Sequence, residues 1–194
     1  MFATMPYTEL PQGVRIKQLR VEDVYRLRAA GAFDDDERVE LLHGVLVVME
    51  PVGGPHIWIT QRLMQRLLIA ALDLPVKVIC QSSIRMGDFQ LPQPDITVVP
   101  TQRGFDPPAG GLLVVEVSDT SLAKDRDTKS RIYAMANVPE YWIVDVNHEQ
   151  VHVFTDPHGT DYRQITIVPR SGKLQPIKLP GISIEIDQLF RVDD

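Results

Sequence analysis

Glu116 is an acidic residue at a point where the sequence pattern demands an apolar side chain. It lies in the run 112–117, whose other members are all apolar, as expected for a central strand covered on both faces. Strand alternation places Glu116 on one face with Leu112 and Val114, near the end of the strand. A buried carboxylate is costly without a positive partner or a metal ion. Glu116 therefore indicates either a functional site or a structural ion pair.

Asp95 is a second acid in an informative position. It follows Pro94 and opens a predicted strand, where proline is tolerated because it has no N–H to donate. Alone, such an acid is typical of a turn cap. Together with Glu116 it forms a candidate pair of carboxylates on neighbouring strands.

Lys129 lies in a predicted helix over 121–137. At 100° per residue it falls in the middle of the inward stripe that contains Leu122 and Tyr133, whereas Lys124 falls on the solvated side. A lysine on a buried face needs a negative partner. That partner could be Asp125 one helical turn earlier, or the stem could extend its ammonium to solvent. Because the helix follows the Glu116 strand, Lys129 could instead lie over that carboxylate.

Glu40, His56 and Cys80 carry weaker signals. Glu40 lies in a predicted strand over 39–42, where alternation allows it to face solvent. His56 begins the longest helical pattern on its inward face, a position that more often holds a core histidine than a ligand. Cys80 reads as a buried, inert thiol. No histidine pair has zinc-like spacing, and neither a phosphate-binding glycine loop nor a nucleophile elbow is present.

Carboxylates with carbonyl oxygens and water suit Mg²⁺ or Mn²⁺. Two acids on adjacent strands could hold one ion, which would polarise a phosphoryl oxygen and stabilise charge on the leaving oxygen. A nearby lysine could orient the attacking water or help to remove its proton. This set of groups predicts hydrolysis of a phosphodiester, and the same groups could serve another phosphate ester.

The elements that must position these residues alternate between helix and strand in the middle of the chain and become hairpins at the end. Helices are predicted over 21–30, 56–72 and 121–137, with a single turn at 187–190. Strands are predicted over 39–42, 45–49, 75–84, 94–99, 112–117, 141–146, 150–155 and 162–168. The pattern favours an α/β fold, a mixed β-sheet flanked by helices with extra C-terminal antiparallel strands, in one domain over 1–194.

The composition limits the partners. A net charge of −6 is unfavourable for a nucleic-acid binder, although carboxylates of a metal site count as negative until the metal binds. No apolar run approaches a membrane span, so no membrane partner is expected. The opening residues lack a basic start followed by an apolar block, and a lone cysteine suits a reducing compartment, so a cytoplasmic location is predicted.

Several separated motifs resemble those of the Uma-type family of putative restriction endonucleases, within the PD-(D/E)XK nuclease superfamily. The matching stretches, in chain order, are 40–44, His56, 94–96, 115–118, Asp125, Lys129, Tyr133 and 138–145. The resemblance implies a restriction endonuclease-like fold and a Mg²⁺-dependent endonuclease acting on DNA.

The resemblance also implies roles for individual residues. Asp95 looks like the metal-binding acid, and Glu116 like the acid of the (D/E)XK strand. Ser118 stands where the superfamily usually has its lysine, which here matches Lys129 on the next helix. Glu40 matches an additional upstream acid and becomes a third expected metal ligand. His56, Ser118 and Tyr133 are expected to support the site.

Two further readings remain open from the sequence. A catalytically idle module could keep the nuclease fold to bind nucleic acid or a protein partner, which the acidic net charge favours. The long helix also carries apolar residues away from its core face, which predict a homodimer: Trp58, Leu68, Ile69 and Leu72. Candidate DNA contacts are Arg62, Arg66, Arg85, Lys124 and Arg126.

Overall fold

The centre of the molecule is a six-stranded sheet. The structure is a computed structural model that describes residues 16–34, 36–101 and 110–192. Its helices are α1 (Val21–Ala29), α2 (Gly54–Ala70), α3 (Leu122–Lys124), α4 (Ser130–Met135) and α5 (Asp187–Phe190), with a π-helical segment (Asp125–Lys129) between α3 and α4. Its strands are β1 (Val39–Leu42), β2 (Val45–Val48), β3 (Val76–Cys80), β4 (Ile96–Pro100), β5 (Leu113–Ser118), β6 (Glu140–Asp145), β7 (Gln150–His158), β8 (Asp161–Pro169), β9 (Lys173–Leu174) and β10 (Ile184–Glu185).

The sheet has the strand order β3-β4-β5-β6-β7-β8. Only β5 and β6 run parallel, joined by the α3–π–α4 crossover, and the other neighbouring pairs are antiparallel. The β7–β8 hairpin supplies the antiparallel strands expected towards the C-terminus. The prediction of a mixed sheet with flanking helices is therefore confirmed.

Both faces of β5 are covered, which explains why its sequence is almost wholly apolar. On one face, α2 packs Leu63 and Leu67 against Val115 and Val117. On the other face, Tyr133 of α4 belongs to the cluster that contains Val114, Tyr141 and Ile143. Every residue of β5 is buried, so Glu116 is enclosed between the sheet and the crossover helix.

The β1–β2 hairpin turns through His43 and Gly44, both with positive φ (51° and 75°). The side chain of Gln90 accepts a hydrogen bond from the His43 backbone N–H at 2.8 Å, which fixes the turn against a distant loop. Both faces of β1 are covered, and Glu40 has no exposed surface. The expectation that Glu40 could face solvent is therefore wrong, because alternation alone does not reveal that a strand is covered on both sides.

Other expectations need correction. The helix predicted over 121–137 has a π-helical segment in its middle, and β9 and β10 were not predicted because two-residue strands carry no periodicity. Cys80 is half-buried rather than buried, and burial raises the pKa of its thiol.

Within the described residues, no helix is long and apolar enough to cross a bilayer. Residues 1–15, on which the expected lack of a leader rests, lie outside the described residues. The cytoplasmic location and the single domain over 1–194 stay predictions.

Candidate active site

Among the predicted site residues, Asp95, Glu116, Lys129 and His56 border one cleft of about 560 Å³. The β2–α2 loop and the first turn of α2 form one wall, and the end of β5 with the α3–π crossover forms the other. Asp95 directly precedes β4, in which Ile96 pairs with Val115 of β5. Continuing this antiparallel register by one residue brings Asp95 alongside Glu116, as expected for carboxylates on adjacent strands.

Lys129 occupies the centre of the cluster. Its Nζ lies 2.9 Å from Oε1 of Glu116 and 2.8 Å from Oε1 of Glu40, and its side chain is only 2% exposed. Oδ1 of Asp125 lies at 3.8 Å. Lys129 therefore lies near Asp125, one helical turn earlier, and also over the carboxylate of Glu116, as two of the three alternatives predicted. Its ammonium does not extend to solvent.

The charge of Lys129 is fixed by these neighbours. Burial by itself lowers the pKa of Lys129, but the surrounding carboxylates, Glu116 first among them, hold that pKa above its usual range. The lysine therefore remains a cation at neutral pH. A lysine in this state donates hydrogen bonds and stabilises negative charge, but it does not accept a proton.

Glu116 lies in an environment that disfavours its charged form. Its Oε1 accepts hydrogen bonds from Lys129 and, at 2.6 Å, from the Tyr133 hydroxyl. Burial raises the pKa of Glu116 well above its ordinary value, and the charges of Asp125, Asp95 and Glu40 raise it further against the opposing effect of Lys129. Burial likewise raises the pKa of Tyr133, so its hydroxyl stays a donor. Additional positive charge near Glu116 would relieve this repulsion.

Glu40 reaches the cluster from the β1–β2 hairpin. Besides contacting Lys129, its Oε1 accepts the Gln93 backbone N–H at 2.8 Å, and its Oε2 lies 3.6 Å from Nζ of Lys124. Lys124 therefore faces the cleft, and its predicted place on the solvated side is wrong. The long lysine stem lets an ammonium bend away from the direction in which its Cα–Cβ bond points.

Asp95 is anchored through one of its two oxygens. Its Oδ2 accepts the Val117 backbone N–H at 2.8 Å and lies 3.0 Å from Nε2 of His56. His56 stands in the first turn of α2 and is 6% exposed, while its Nδ1 is buried without a hydrogen-bond partner. The histidine thus contacts the candidate metal-binding acid rather than only filling the core.

Two carboxylate oxygens in the cleft remain without partners. Among the described residues, neither Oδ1 of Asp95 nor Oε2 of Glu116 makes a hydrogen bond or ion pair. This donor set fits one Mg²⁺ or Mn²⁺ ion, which commonly binds one or two carboxylates and keeps several waters.

Lys129 and Gln93 contact Oε1 of Glu40, whereas its Oε2 is buried without a hydrogen-bond partner, and Glu40 does not line the cleft. In the described ranges no three His, Cys, Asp or Glu side chains are arranged to hold a metal ion. The expectation of Glu40 as a third ligand stays a prediction. A local sequence pattern could not reveal the contacts of Glu40, because Lys129 and Gln93 are distant along the chain.

Sequence reasoning missed two contributors. Asp125 was considered as an ion-pair partner of Lys129, four residues away, and as part of the family pattern, but no role in the site was predicted for it. Gln93 contributes through its backbone N–H, for which no side-chain signal exists. The supporting residues Ser118 and Tyr133 do lie in the cluster, where Ser118 donates to Oδ2 of Asp125 at 2.7 Å.

The basic residues proposed for DNA contact fall into two groups: some pair with nearby acids, and others line a groove or the cleft. Arg85 pairs with Glu22 and Asp88, and Arg126 pairs with Asp127. On the outer face of α2, Arg62 stacks over Trp58 at 4.5 Å and Arg66 lines the same shallow groove; Lys124 lines the cleft.

Comparisons with known proteins agree with this architecture. A family model described as "Uma2: Putative restriction endonuclease" matches residues 21–187. A solved structure of a putative nuclease belonging to DUF820 from Anabaena variabilis superposes with a TM-score of 0.72 at 13% identity, covering 89% of this chain and 97% of that chain. This likeness confirms the restriction endonuclease-like fold.

A second solved structure, the type IIG restriction endonuclease BpuSI, is 20% identical over 61% of this chain and 14% of that chain. Its TM-score of 0.38 is too low to carry an argument. No curated protein matches the chain.

Proposed function

The chain belongs to the Uma2 family of putative restriction endonucleases, and from this premise we propose that it is a Mg²⁺-dependent endonuclease that hydrolyses phosphodiester bonds of DNA. The observation that carries the proposal is the pair of partnerless oxygens, Oδ1 of Asp95 and Oε2 of Glu116, beside a buried lysine cation. Buried charges are costly, so a cluster of this kind needs a compensating role.

In this proposal Asp95 and Glu116 hold the metal ion. A bound Mg²⁺ supplies Lewis-acid polarisation of the phosphoryl group and lowers the pKa of the attacking water. His56 and the Val117 N–H hold Oδ2 of Asp95, which leaves Oδ1 available. Tyr133 and Lys129 hold Oε1 of Glu116, which leaves Oε2 available.

Lys129 stabilises negative charge in this proposal and does not act as a base. Its raised pKa keeps the proton on Nζ, so the ammonium attracts the phosphate and the charge that develops on it. Glu40 holds that ammonium through a contact of 2.8 Å, and its own charge is compensated by Lys124 and Lys129. We therefore assign Glu40 to positioning Lys129 rather than to the metal.

The proposal is tested with purified protein and DNA in several forms: supercoiled, linear double-stranded and single-stranded. We expect cleavage with Mg²⁺ or Mn²⁺, none with chelator, and none from Glu116→Gln. A crystal soaked in Mn²⁺ should show anomalous density between Asp95 and Glu116. Absence of both cleavage and any Mg²⁺ effect on thermal unfolding would refute the metal-dependent nuclease.

A catalytically idle module remains the second candidate, favoured by the net charge of −6. It predicts that the protein binds nucleic acid or a protein partner without cleaving DNA, and that Glu116→Gln does not change this binding. Pull-down of the wild type and this variant, with and without DNA, separates the two functions.

A homodimer is the remaining part of the proposal. The outer face of α2 and the turn that follows it leave large apolar side chains exposed, with Ile69 at 63% and Leu72 at 78%. Exposed apolar surface of this kind is typical of protein contacts. A two-fold dimer would present two clefts to a duplex.

A further inference from the structure

Asp125 is a third buried acid beside Lys129, after Glu116 and Glu40. We propose that Asp125, clamped by the hydroxyls of Ser118 and Ser121, is a positioning residue that aims the ammonium of Lys129 at the cleft. The catalytic consequence rests on the proposed nuclease function, whereas the effect on the lysine itself does not.

The side chain of Asp125 is fixed by two donors on one oxygen. It is 2% exposed, and its Oδ2 accepts hydrogen bonds from Oγ of Ser118, at 2.7 Å, and from Oγ of Ser121. A carboxylate with two hydroxyl donors on one oxygen loses its rotational freedom. Its other oxygen must then point in one direction.

That other oxygen faces the lysine. Oδ1 of Asp125 is buried with no hydrogen-bond partner and lies 3.8 Å from Nζ of Lys129. The distance is too long for a hydrogen bond, yet the attraction is strong at low local dielectric. Since Nζ already contacts Glu40 and Glu116, Asp125 adds a third carboxylate around the ammonium, and this restrains Nζ at the edge of the cleft that Asp125 and Lys129 both line.

The backbone supports the same arrangement. Asp125 and Lys129 are the first and last residues of the π-helical segment, and such segments concentrate at functional sites. The Asp125 carbonyl accepts both the Ser130 N–H and the Tyr141 hydroxyl, so the wide turn is held from outside the helix. A π turn rotates less per residue than an α-helix, which alters the direction of the Lys129 side chain.

Ser118 connects this helix to the strand of the metal ligand. It lies on β5 two residues after Glu116, so its bond to Asp125 ties the strand and the π-helical segment together next to the Lys129–Glu116 contact. A shift of the helix along the sheet would break this bond. Ser118 therefore sets the distance between the ammonium and Glu116.

The test compares Asp125→Asn and Ser118→Ala with Ser130→Ala as a matched control. Ser130 is a buried serine of the same helical region, but its hydroxyl donates to the Arg126 carbonyl and makes no contact with Asp125. Two kinds of measurement are made. The first is the ¹⁵N signal of the Lys129 ammonium, assigned through its loss in Lys129→Arg. The second is DNA cleavage, which gives kcat and KM at saturating Mg²⁺ and the Mg²⁺ concentration for half-maximal activity.

We expect Asp125→Asn to shift or broaden the ammonium signal and to lower kcat about 10–100-fold, with KM and the Mg²⁺ midpoint within about twofold. An asparagine amide that faces Lys129 would repel it. Ser118→Ala should lower kcat about fivefold, because Asp125 keeps its charge but loses one of the two hydrogen bonds that fix its orientation. Ser130→Ala should match the wild type in both measurements.

An unchanged ammonium signal in both test variants would overturn the proposal. A loss of kcat that merely follows a loss of folded protein and of Mg²⁺ binding would also overturn it, because that pattern indicates a structural role. If Asp125→Asn does not fold, the ammonium signal and kcat of Ser118→Ala decide whether Asp125 positions Lys129. If the wild type cleaves no DNA, the nuclease proposal fails, and the ammonium signal alone decides whether Asp125 positions Lys129.

Discussion

Nζ of Lys129 lies 2.9 Å from Oε1 of Glu116, so a helix and a central strand are joined by an ion pair inside the core. The same ammonium contacts Glu40, which lies on a hairpin outside the main sheet. One cation thus connects three parts of the fold. This contact gives the site both its electrostatic character and its dependence on correct folding.

Removal of Lys129 should be strongly destabilising. Lys129→Ala leaves Glu40 and Glu116 buried without their shared cation, and breaking such a pair costs about 3–5 kcal/mol of unfolding free energy. Urea unfolding measures the loss. Lys124→Ala is the control, because Lys124 also approaches Glu40 but is 35% exposed, and it should cost less than about 1 kcal/mol. Equal losses in the two variants would contradict this account of the core.

Mg²⁺ should stabilise the folded protein through Asp95 and Glu116. At ten times the dissociation constant the gain is roughly 1.4 kcal/mol, provided that only the folded state binds. Thermal unfolding at increasing Mg²⁺ measures it. Asp95→Asn and Glu116→Gln should abolish both the gain and cleavage while the far-ultraviolet spectrum stays native. A full Mg²⁺ response in both variants would show that the ion binds elsewhere.

Without metal, stability should fall as the pH rises above the ordinary glutamate range. Burial raises the pKa of Glu116 in the folded state, so the folded protein binds that proton more tightly than the unfolded chain does. The stabilising contribution is complete at low pH and is lost as the pH rises towards the folded pKa. Unfolding measured between pH 4 and pH 8 should show a flatter profile for Glu116→Gln. An identical slope in the variant would exclude Glu116 as the source.

The contact between His56 and Asp95 should tune metal affinity. His56→Ala removes one of two groups that hold Oδ2 of Asp95 and should raise the Mg²⁺ concentration for half-maximal activity about 10–100-fold. At saturating Mg²⁺ the rate should recover most of its wild-type value, because His56 does not contact the phosphate in this proposal. His158→Ala, at an exposed histidine of β7, should leave the midpoint unchanged. A loss of rate that Mg²⁺ cannot restore would contradict this role.

The exposed face of α2 should govern self-association. A double variant, Ile69→Glu with Leu72→Glu, places charges on the proposed contact and should shift sedimentation from dimer to monomer. Ile165→Glu is the control, because Ile165 is 59% exposed on β8, away from α2. A wild-type protein that sediments as a monomer at high concentration would refute the dimer.

The sequence by itself determined which side chains break the local pattern. An acid inside an apolar strand and a lysine on the inward face of a helix are recognisable because strand and helix periods fix the facing of each residue. For this reason Glu116 and Lys129 were found from their immediate neighbours. The mixed sheet followed from the alternation of helices and strands in the same way.

Only the tertiary structure decided which distant groups meet. Glu40 joins Lys129 because the β1–β2 hairpin packs against the crossover helix, and His56 reaches Asp95 because α2 begins beside the start of β4 and the end of β5. The π-helical segment depends on contacts such as the Tyr141 hydroxyl to the Asp125 carbonyl. Periodicity describes the direction of a side chain relative to its own element. It carries no information on which other element will lie opposite, since packing and backbone hydrogen bonds fix that placement.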